Sequence, residues 1–303
     1  MLTKRRLALL ILMAAILIVA PVLAITTSRS GSDNEAEGAS VLTLWQIDCF
    51  EGGKSSRAGY LKDAADNFFK GDGVYVTVTS LSAQAARDNI SAGNIPDMIS
   101  YGAGFYGIES LINDRDFAYK CWCRGAYFII TLDDEADFAD AQSLNTVVNS
   151  GRDNLAAACA MFEGLSGAAM SPPTLAYVEL INKKYKYLLG TQRDLCRLET
   201  RGAEYCAMPV TSFNDLYQNI SILCTDENYA HCMSFISHLL KNDGGVAELG
   251  MISEGAECLG ALAEAKKAKA EYSLRTFVSS EVHQSIMSAL SNGDINYLKN
   301  LLK

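Results

Sequence analysis

Residues 41–102 switch repeatedly between two apolar spacings, and no other feature limits the possible folds as tightly. Val41 to Ile47, "VLTLWQI", is rich in β-formers and reads as a strand. Leu61, Ala64, Ala65, Phe68 and Phe69 then recur at helical spacing, which makes about Ser56 to Lys70 an amphipathic helix. "GDG" ends that helix, and "VYVTVTS" alternates strictly, with Val74, Val76 and Val78 on one face. A second helix, "AQAARDNISAG", leads through Pro96 to a short strand, "DMISYG". The order β-α-β-α-β specifies a parallel sheet covered by helices, with right-handed crossovers.

A second series begins at "CWCRGAYFIITL". "NTVVNSG" precedes a helical stretch, and "KYKYLLG" precedes a helix that starts near Thr191. "LYQNISILC" reads as a further strand before a helix with Cys232, Phe235, Ile236, Leu239 and Leu240 on one face. The chain ends in two short helices split by Asn292-Gly293. With 303 residues, 49% of them hydrophobic, two α/β lobes accommodate these elements more economically than one very wide sheet. No internal sequence repeat is visible.

Lys4, Arg5 and Arg6 precede an apolar run from Leu7 to about Ala24. Basic flank, apolar run and a "VLA" ending match a secretory signal, so residues 1–24 are a cleaved signal peptide or an uncleaved anchor. The run approaches the roughly 20 residues that span a bilayer, which keeps the anchor open. Residues 25–40, small and polar, read as a flexible linker. No cysteine occurs before Cys49, so the sequence offers no lipid attachment point at the end of the signal. The expected location is therefore extracellular, free or tethered.

A net charge of −9 argues against an extended footprint for nucleic acid. The nine cysteines are scattered, and their odd number leaves at least one without an intramolecular partner. Most read as small buried hydrophobes, and no pair is assigned. Cys121-Trp122-Cys123 cannot make a metal site without further ligands. His231 and His238 are too far apart along a helix to share a metal, and HExxH and GxSxG patterns do not occur. "GGK" at Gly52 to Lys54 fails as a phosphate loop, because the required first glycine falls at Asp48. No catalytic, metal or cofactor site is expected.

Several segments taken together resemble bacterial extracellular solute-binding proteins of ABC importers, of the carbohydrate type. They are "LTLWQIDCFEGGKSSR" with its following helix, "VYVTVTSLSAQAARDNISAGNIPDMISYG", "CWCRGAYFIIT", "YLLGTQRDLCRLE", "MPVTSFNDLYQNISI" and "CMSFISHLLKNDGGVAELGMIS". The resemblance implies an α/β fold of the two-lobed, type II periplasmic-binding-protein kind, with a hinge and an interlobe cleft. Residues 41–120 plus about 223–262 would form one lobe, and 121–222 plus about 263–303 a shortened second lobe. It further implies a monomer that binds a small solute, a carbohydrate first, and delivers it to membrane permease subunits. The short second lobe and the absent lipid attachment leave room for a membrane-anchored sensor or adhesion module, or for a peptide or anionic solute.

Ligands of open α/β sheets sit beyond the carboxyl ends of the strands, which selects candidate residues. Trp45 and Trp122, the two tryptophans, offer flat faces to a sugar, or pack in a core. Asp48 and Glu51 can accept hydroxyl hydrogens, while Lys54 and Arg57 can bind anionic groups or pair with those acids. Ser100 and Tyr101 end the third strand. Gln192 and Arg193 open a helix capped by Thr191, and Arg193 presents a fork for a carboxylate or vicinal hydroxyls. Tyr217 stands at the return crossing.

Overall fold

A computed structural model describes residues 40–112, 119–151, 153–225 and 228–302. The leader at 1–24 and the linker to residue 39 lie outside the described residues. No described helix is long and apolar enough to cross a membrane.

The chain runs through β1 (Val41–Ile47), α1 (Arg57–Asp72), β2 (Tyr75–Leu81), α2 (Ala83–Ser91), β3 (Met98–Gly102) and β4 (Lys120–Arg124). It crosses at Gly125-Ala126 into β5 (Tyr127–Thr131), β6 (Thr146–Asn149), α3 (Ala156–Phe162), β7 (Ala169–Ser171), α4 (Pro173–Ile181) and β8 (Tyr187–Thr191). After α5 (Gln192–Arg201), β9 (Cys206–Pro209) and β10 (Phe213–Asn214), it returns through β11 (Tyr217–Ile222) to α6 (Asn228–Lys241). α7 (Gly260–Lys267), β12 (Tyr272–Ser273), α8 (Ser280–Asn292) and α9 (Ile295–Leu301) close the chain.

Two five-stranded sheets result, ordered β2-β1-β3-β11-β4 and β7-β6-β8-β5-β9. In the first, β1 pairs parallel with β2 and β3, while β11 runs antiparallel to β3 and β4. The second repeats this plan: β6 is parallel to β7 and β8, and β5 is antiparallel to β8 and β9. Each lobe thus receives its antiparallel strand from a crossing segment. The second lobe, expected to be short, carries a sheet with the same number of strands as the first. Residues 121–124 and 217–222, placed by sequence in the second lobe, hydrogen-bond in the first sheet. The boundary moves because β4 has a partner in β11 and continues to Arg124 before the chain crosses.

Local chemistry explains the element ends. Ser56 caps α1 by accepting from the Gly59 N–H, and Ser279 caps α8 by accepting from Val282 N. Gly293, at φ 66°, ends α8 in the left-handed conformation, which splits the C-terminal helices where Asn292-Gly293 suggested. α1 buries Ala58, Leu61, Ala65 and Phe68, a stripe at three- and four-residue intervals. That stripe meets Leu42 and Leu44 of β1 and Phe235, Ile236 and Leu239 of α6. Each fully buried Leu or Phe contributes roughly 1.5–3 kcal/mol. The opposite face of the first sheet packs Ile47, Ile99 and Tyr101 with Ala86 of α2. Among the cysteines, the sulfurs of Cys224 and Cys232 lie 3.7 Å apart.

Candidate functional site

β1 delivers the loop 48–56 to the carboxyl end of the first sheet, and the side chain of Arg57 shapes it from below. Arg57 is buried, 2% exposed, beside the carboxylate of Asp48 at 2.9 Å. It donates to Gln218 Oε1 at 2.9 Å and to the Phe50 carbonyl, and its guanidinium lies 4.2 Å from the centroid of the Phe50 ring. On the other side of the loop, Lys54 N donates to the Leu249 carbonyl at 2.6 Å. Gly53 sits so close to this backbone that a Cβ there would overlap Leu249 O and the Gly250 carbonyl. Gly53→Ala is therefore expected to lift the loop and cost roughly 1–3 kcal/mol, as overpacking does. Faster amide exchange across 48–56 and 249–253 is the expected signature, and unchanged exchange would remove this approach as the constraint.

Facing the loop is the N-terminus of α5. Thr191 and Asp194 form a capping box there, with Thr191 N donating to Asp194 Oδ2 at 3.0 Å. Asp194 is fully buried and also accepts from Asn149 Nδ2 at 2.8 Å and Arg197 Nη1 at 2.9 Å. Burial pushes its pKa up, and these donors oppose the shift.

The loop and the helix meet across the interlobe boundary. Gln192 Nε2 donates to the Glu51 carbonyl at 2.8 Å, and Gln192 Oε1 accepts from Ala126 N at 3.1 Å. Arg193 donates to the Gly53 carbonyl and, at 3.5 Å, to that of Lys54. Arg197 forks onto the Glu51 carboxylate, at 2.9 and 3.5 Å. Lys54 pairs with Glu199 at 3.0 Å, and the hydrogen bond to that carboxylate raises the lysine pKa. Asp153 N adds a bond to the Cys49 carbonyl at 3.0 Å. Beneath these polar contacts the lobes share one apolar cluster that includes Phe50, Leu155, Leu216 and Met251. The Glu51–Arg197 pair, 15% and 20% exposed, is the better shielded of the two ion pairs; the exposed Lys54–Glu199 pair is worth at most about 1 kcal/mol. An open cavity of about 360 Å³ remains on the loop, bordered by Asp48, Ser55, Ser56 and Arg193.

The sequence candidates thus fall into three groups. Asp48, Glu51, Lys54, Arg57, Gln192 and Arg193 converge on this seam, where Asp48 pairs with Arg57, Glu51 with Arg197 and Lys54 with Glu199, while Gln192 and Arg193 bond backbone. Ser100 and Tyr101 are fully buried: Ser100 Oγ accepts from Trp122 Nε1 and Gln218 Nε2, each at 3.0 Å, and the Tyr101 hydroxyl bonds Ser221. Trp45 packs, half-buried, on the α2 side of β1. Trp122 is 2% exposed and stacks on Tyr60 at 5.7 Å, so its ring is a core element rather than an open cleft wall. Trp122 and Tyr217 instead border a second cavity beside the hinge.

Sequence reasoning missed Arg197 and Asp215. Arg197 stands one helical turn after Arg193, a spacing that could have signalled it. Asp215 sits in the return crossing, where its carboxylate accepts from Tyr127 Oη at 2.8 Å and Leu155 N at 2.6 Å. Burial raises its pKa to about 6. Among the described residues no group of three or more His, Cys, Asp or Glu is placed to hold a metal.

No family model and no curated protein matches this sequence. Solved structures match its fold. IdiA (FutA) of Trichodesmium, in complex with iron and citrate ligands, aligns with TM-score 0.57 at 9% identity, over 87% of this chain and 100% of that one. Iron-bound HitA of Pseudomonas aeruginosa gives 0.53 at 11% identity, over 84% and 99%. AttC of Agrobacterium tumefaciens C58, in an open unliganded conformation, gives 0.51 at 10% identity, over 87% and 100%. At such identities the likeness is one of fold, and the chain has the two-lobed α/β fold of the type II periplasmic-binding-protein kind.

Proposed function

We propose that this chain is an exported, monomeric solute-binding protein that closes its two lobes on a small solute and presents it to an ABC-type permease. One observation carries the reading: the loop after β1 and the N-terminus of α5, at the carboxyl ends of parallel strands in opposite lobes, reach each other through polar side chains. Contacts of this kind can be exchanged for contacts to a ligand when a hinge opens and closes. IdiA with iron and citrate, and iron-bound HitA, support it as proteins of the same fold with ligands.

Among solute classes, a charged molecule suits the seam better than a sugar. Glu51, Lys54, Arg193, Arg197 and Glu199 are the groups a ligand would displace, whereas the Trp122 face is covered by Tyr60. Carbohydrate, favoured by the resemblance in sequence, belongs in the same test as the competing class. A thermal-shift screen of sugars, amino acids, peptides and organic acids is expected to give its largest stabilisation with a charged class; ligand at 100 times its Kd adds about 2.7 kcal/mol. Stabilisation by sugars alone would restore the carbohydrate reading. No response to any small molecule, with binding to a cell-surface protein instead, would replace the importer role by that of a tethered sensor or adhesion module.

A further inference from the structure

The second cavity, about 470 Å³, lies beside the hinge rather than in the seam. Its wall is shared by β4 of the first sheet, Ala126 and Val210 of the second lobe, and the C-terminal segments that pass back across the hinge. Five cationic side chains line it, Arg124, Lys266, Lys267, Lys269 and Arg275, against one carboxylate, Glu254. In a chain with 35 acids and 26 Lys and Arg, that local reversal is unexpected. Among the described residues, none of the five forms an ion pair, although six pairs form elsewhere.

Two of the cations build the wall. Arg124 Nη2 donates to the carbonyls of Ala265 and Lys266 at 3.0 and 3.1 Å, closing the end of α7. Lys266 Nζ donates to the carbonyls of Glu254 and Ala256, each at 2.7 Å. Lys267, Lys269 and Arg275 are exposed around the opening. Arg275 is oriented by its Nε bond to Ser273 Oγ at 2.9 Å, with its guanidinium 5.9 Å from the Tyr217 ring centroid. Tyr119 and Tyr217 supply an aromatic side, and Asn214 and Ser253 supply polar groups.

We infer that this hinge cavity binds a small organic polyanion, a molecule carrying two or more phosphate or carboxylate groups on a compact body. Unpaired cations around a concave wall focus a positive potential that attracts such a ligand, and the volume lies within the roughly 300–1,000 Å³ of small-molecule sites. The aromatic side accommodates the body, and the cations the charged ends. The inference needs the fold but not the solute proposed for the seam.

The test is calorimetric titration of the full chain with pyrophosphate and, separately, with citrate, at fixed ionic strength. Saturable binding of one is expected, and which one binds tells phosphate from carboxylate. The triple variant Lys267→Gln, Lys269→Gln, Arg275→Gln changes only exposed side chains, so it should fold, and it is expected to bind roughly tenfold or more weakly, about 1.4 kcal/mol. No binding to the natural chain, or equal binding to the triple variant, overturns the inference. So does binding lost in Arg193→Gln and kept in the triple variant, which would move the anion to the seam and leave the cleft proposal standing.

Discussion

Arg57→Ala is expected to destabilise the protein by roughly 3–5 kcal/mol, the range for removing one member of a buried charged network. The guanidinium serves three acceptors at once: Asp48, Gln218 Oε1 and the Phe50 carbonyl. Asp48, at 35% exposure, can turn to water after the change. Gln218 and Phe50 cannot, being 0% and 2% exposed, and each stranded acceptor costs about 1–3 kcal/mol. The Phe50 ring also loses the cation above it. For a chain of this size the loss corresponds to a fall in melting temperature of roughly 10 °C. Arg57→Lys keeps the charge but cannot span three acceptors with one ammonium, so an intermediate loss is expected. Denaturant unfolding of both variants checks the order. A lysine variant as stable as the natural protein would mean that charge alone, not the fork, holds the loop.

Arg57 also illustrates where a sequence stops being readable. That it follows a strand and opens a helix was legible, because the alternation of "VLTLWQI" and the stripe of α1 are local patterns. The same is true of the Thr191 cap, of "NTVVNSG" as β6, and of both C-terminal helices. What lies under the loop is not local: Gln218 is 161 residues away, and it reaches Arg57 only because β11 returns to the first sheet. Glu51 and Arg197, 146 residues apart, meet because α5 of the second lobe faces the loop after β1. A run of acids and bases after a strand therefore shows where a cleft lies, without showing which of its charges pair with one another.

Other features escaped because they are properties of the backbone or of packing. The two sheets share a strand order with no visible sequence repeat, since many side-chain sets satisfy the same hydrogen-bond ladder. The lobe boundary shifted by a few residues because β4 pairs with β11, and sequence alone does not choose between partners. Trp122 resembled a ligand platform until the stacking of Tyr60 came into view. Lys266, Lys267, Lys269 and Arg275 read as ordinary solvated charges, and only the folded chain gathers them around one cavity.

Asp215→Asn is expected to gain stability relative to the natural protein as pH rises. The buried Asp215 carboxyl titrates at about 6, against 3.8 for the ordinary group, because burial outweighs the bonds it accepts from Leu155 N and Tyr127 Oη. A raised acid pKa means that the folded state holds the proton more tightly than the unfolded one. Below pH 3.8 both states are protonated and the site's contribution is fully present. It is lost as pH rises from about 4 through 6, as the unfolded chain ionises first, and the loss levels off at about 3 kcal/mol. Asparagine does not ionise, keeps an acceptor for Leu155 N–H, and offers its amide to the Tyr127 hydroxyl. That hydroxyl already accepts from Asn154 Nδ2 at 2.7 Å, so the variant carries a cost from crowded donors, but one that does not change with pH. Urea unfolding of both proteins at pH 4 and pH 7 isolates the effect, since every other carboxylate titrates in both and cancels. The variant's stability relative to the natural protein should improve by roughly 2.4 kcal/mol between the two pH values, because part of the loss has already occurred at pH 4. A flat difference would mean that Asp215 ionises at its ordinary pKa. The crossing would then be hydrated, rather than held against the second lobe by a sealed carboxyl.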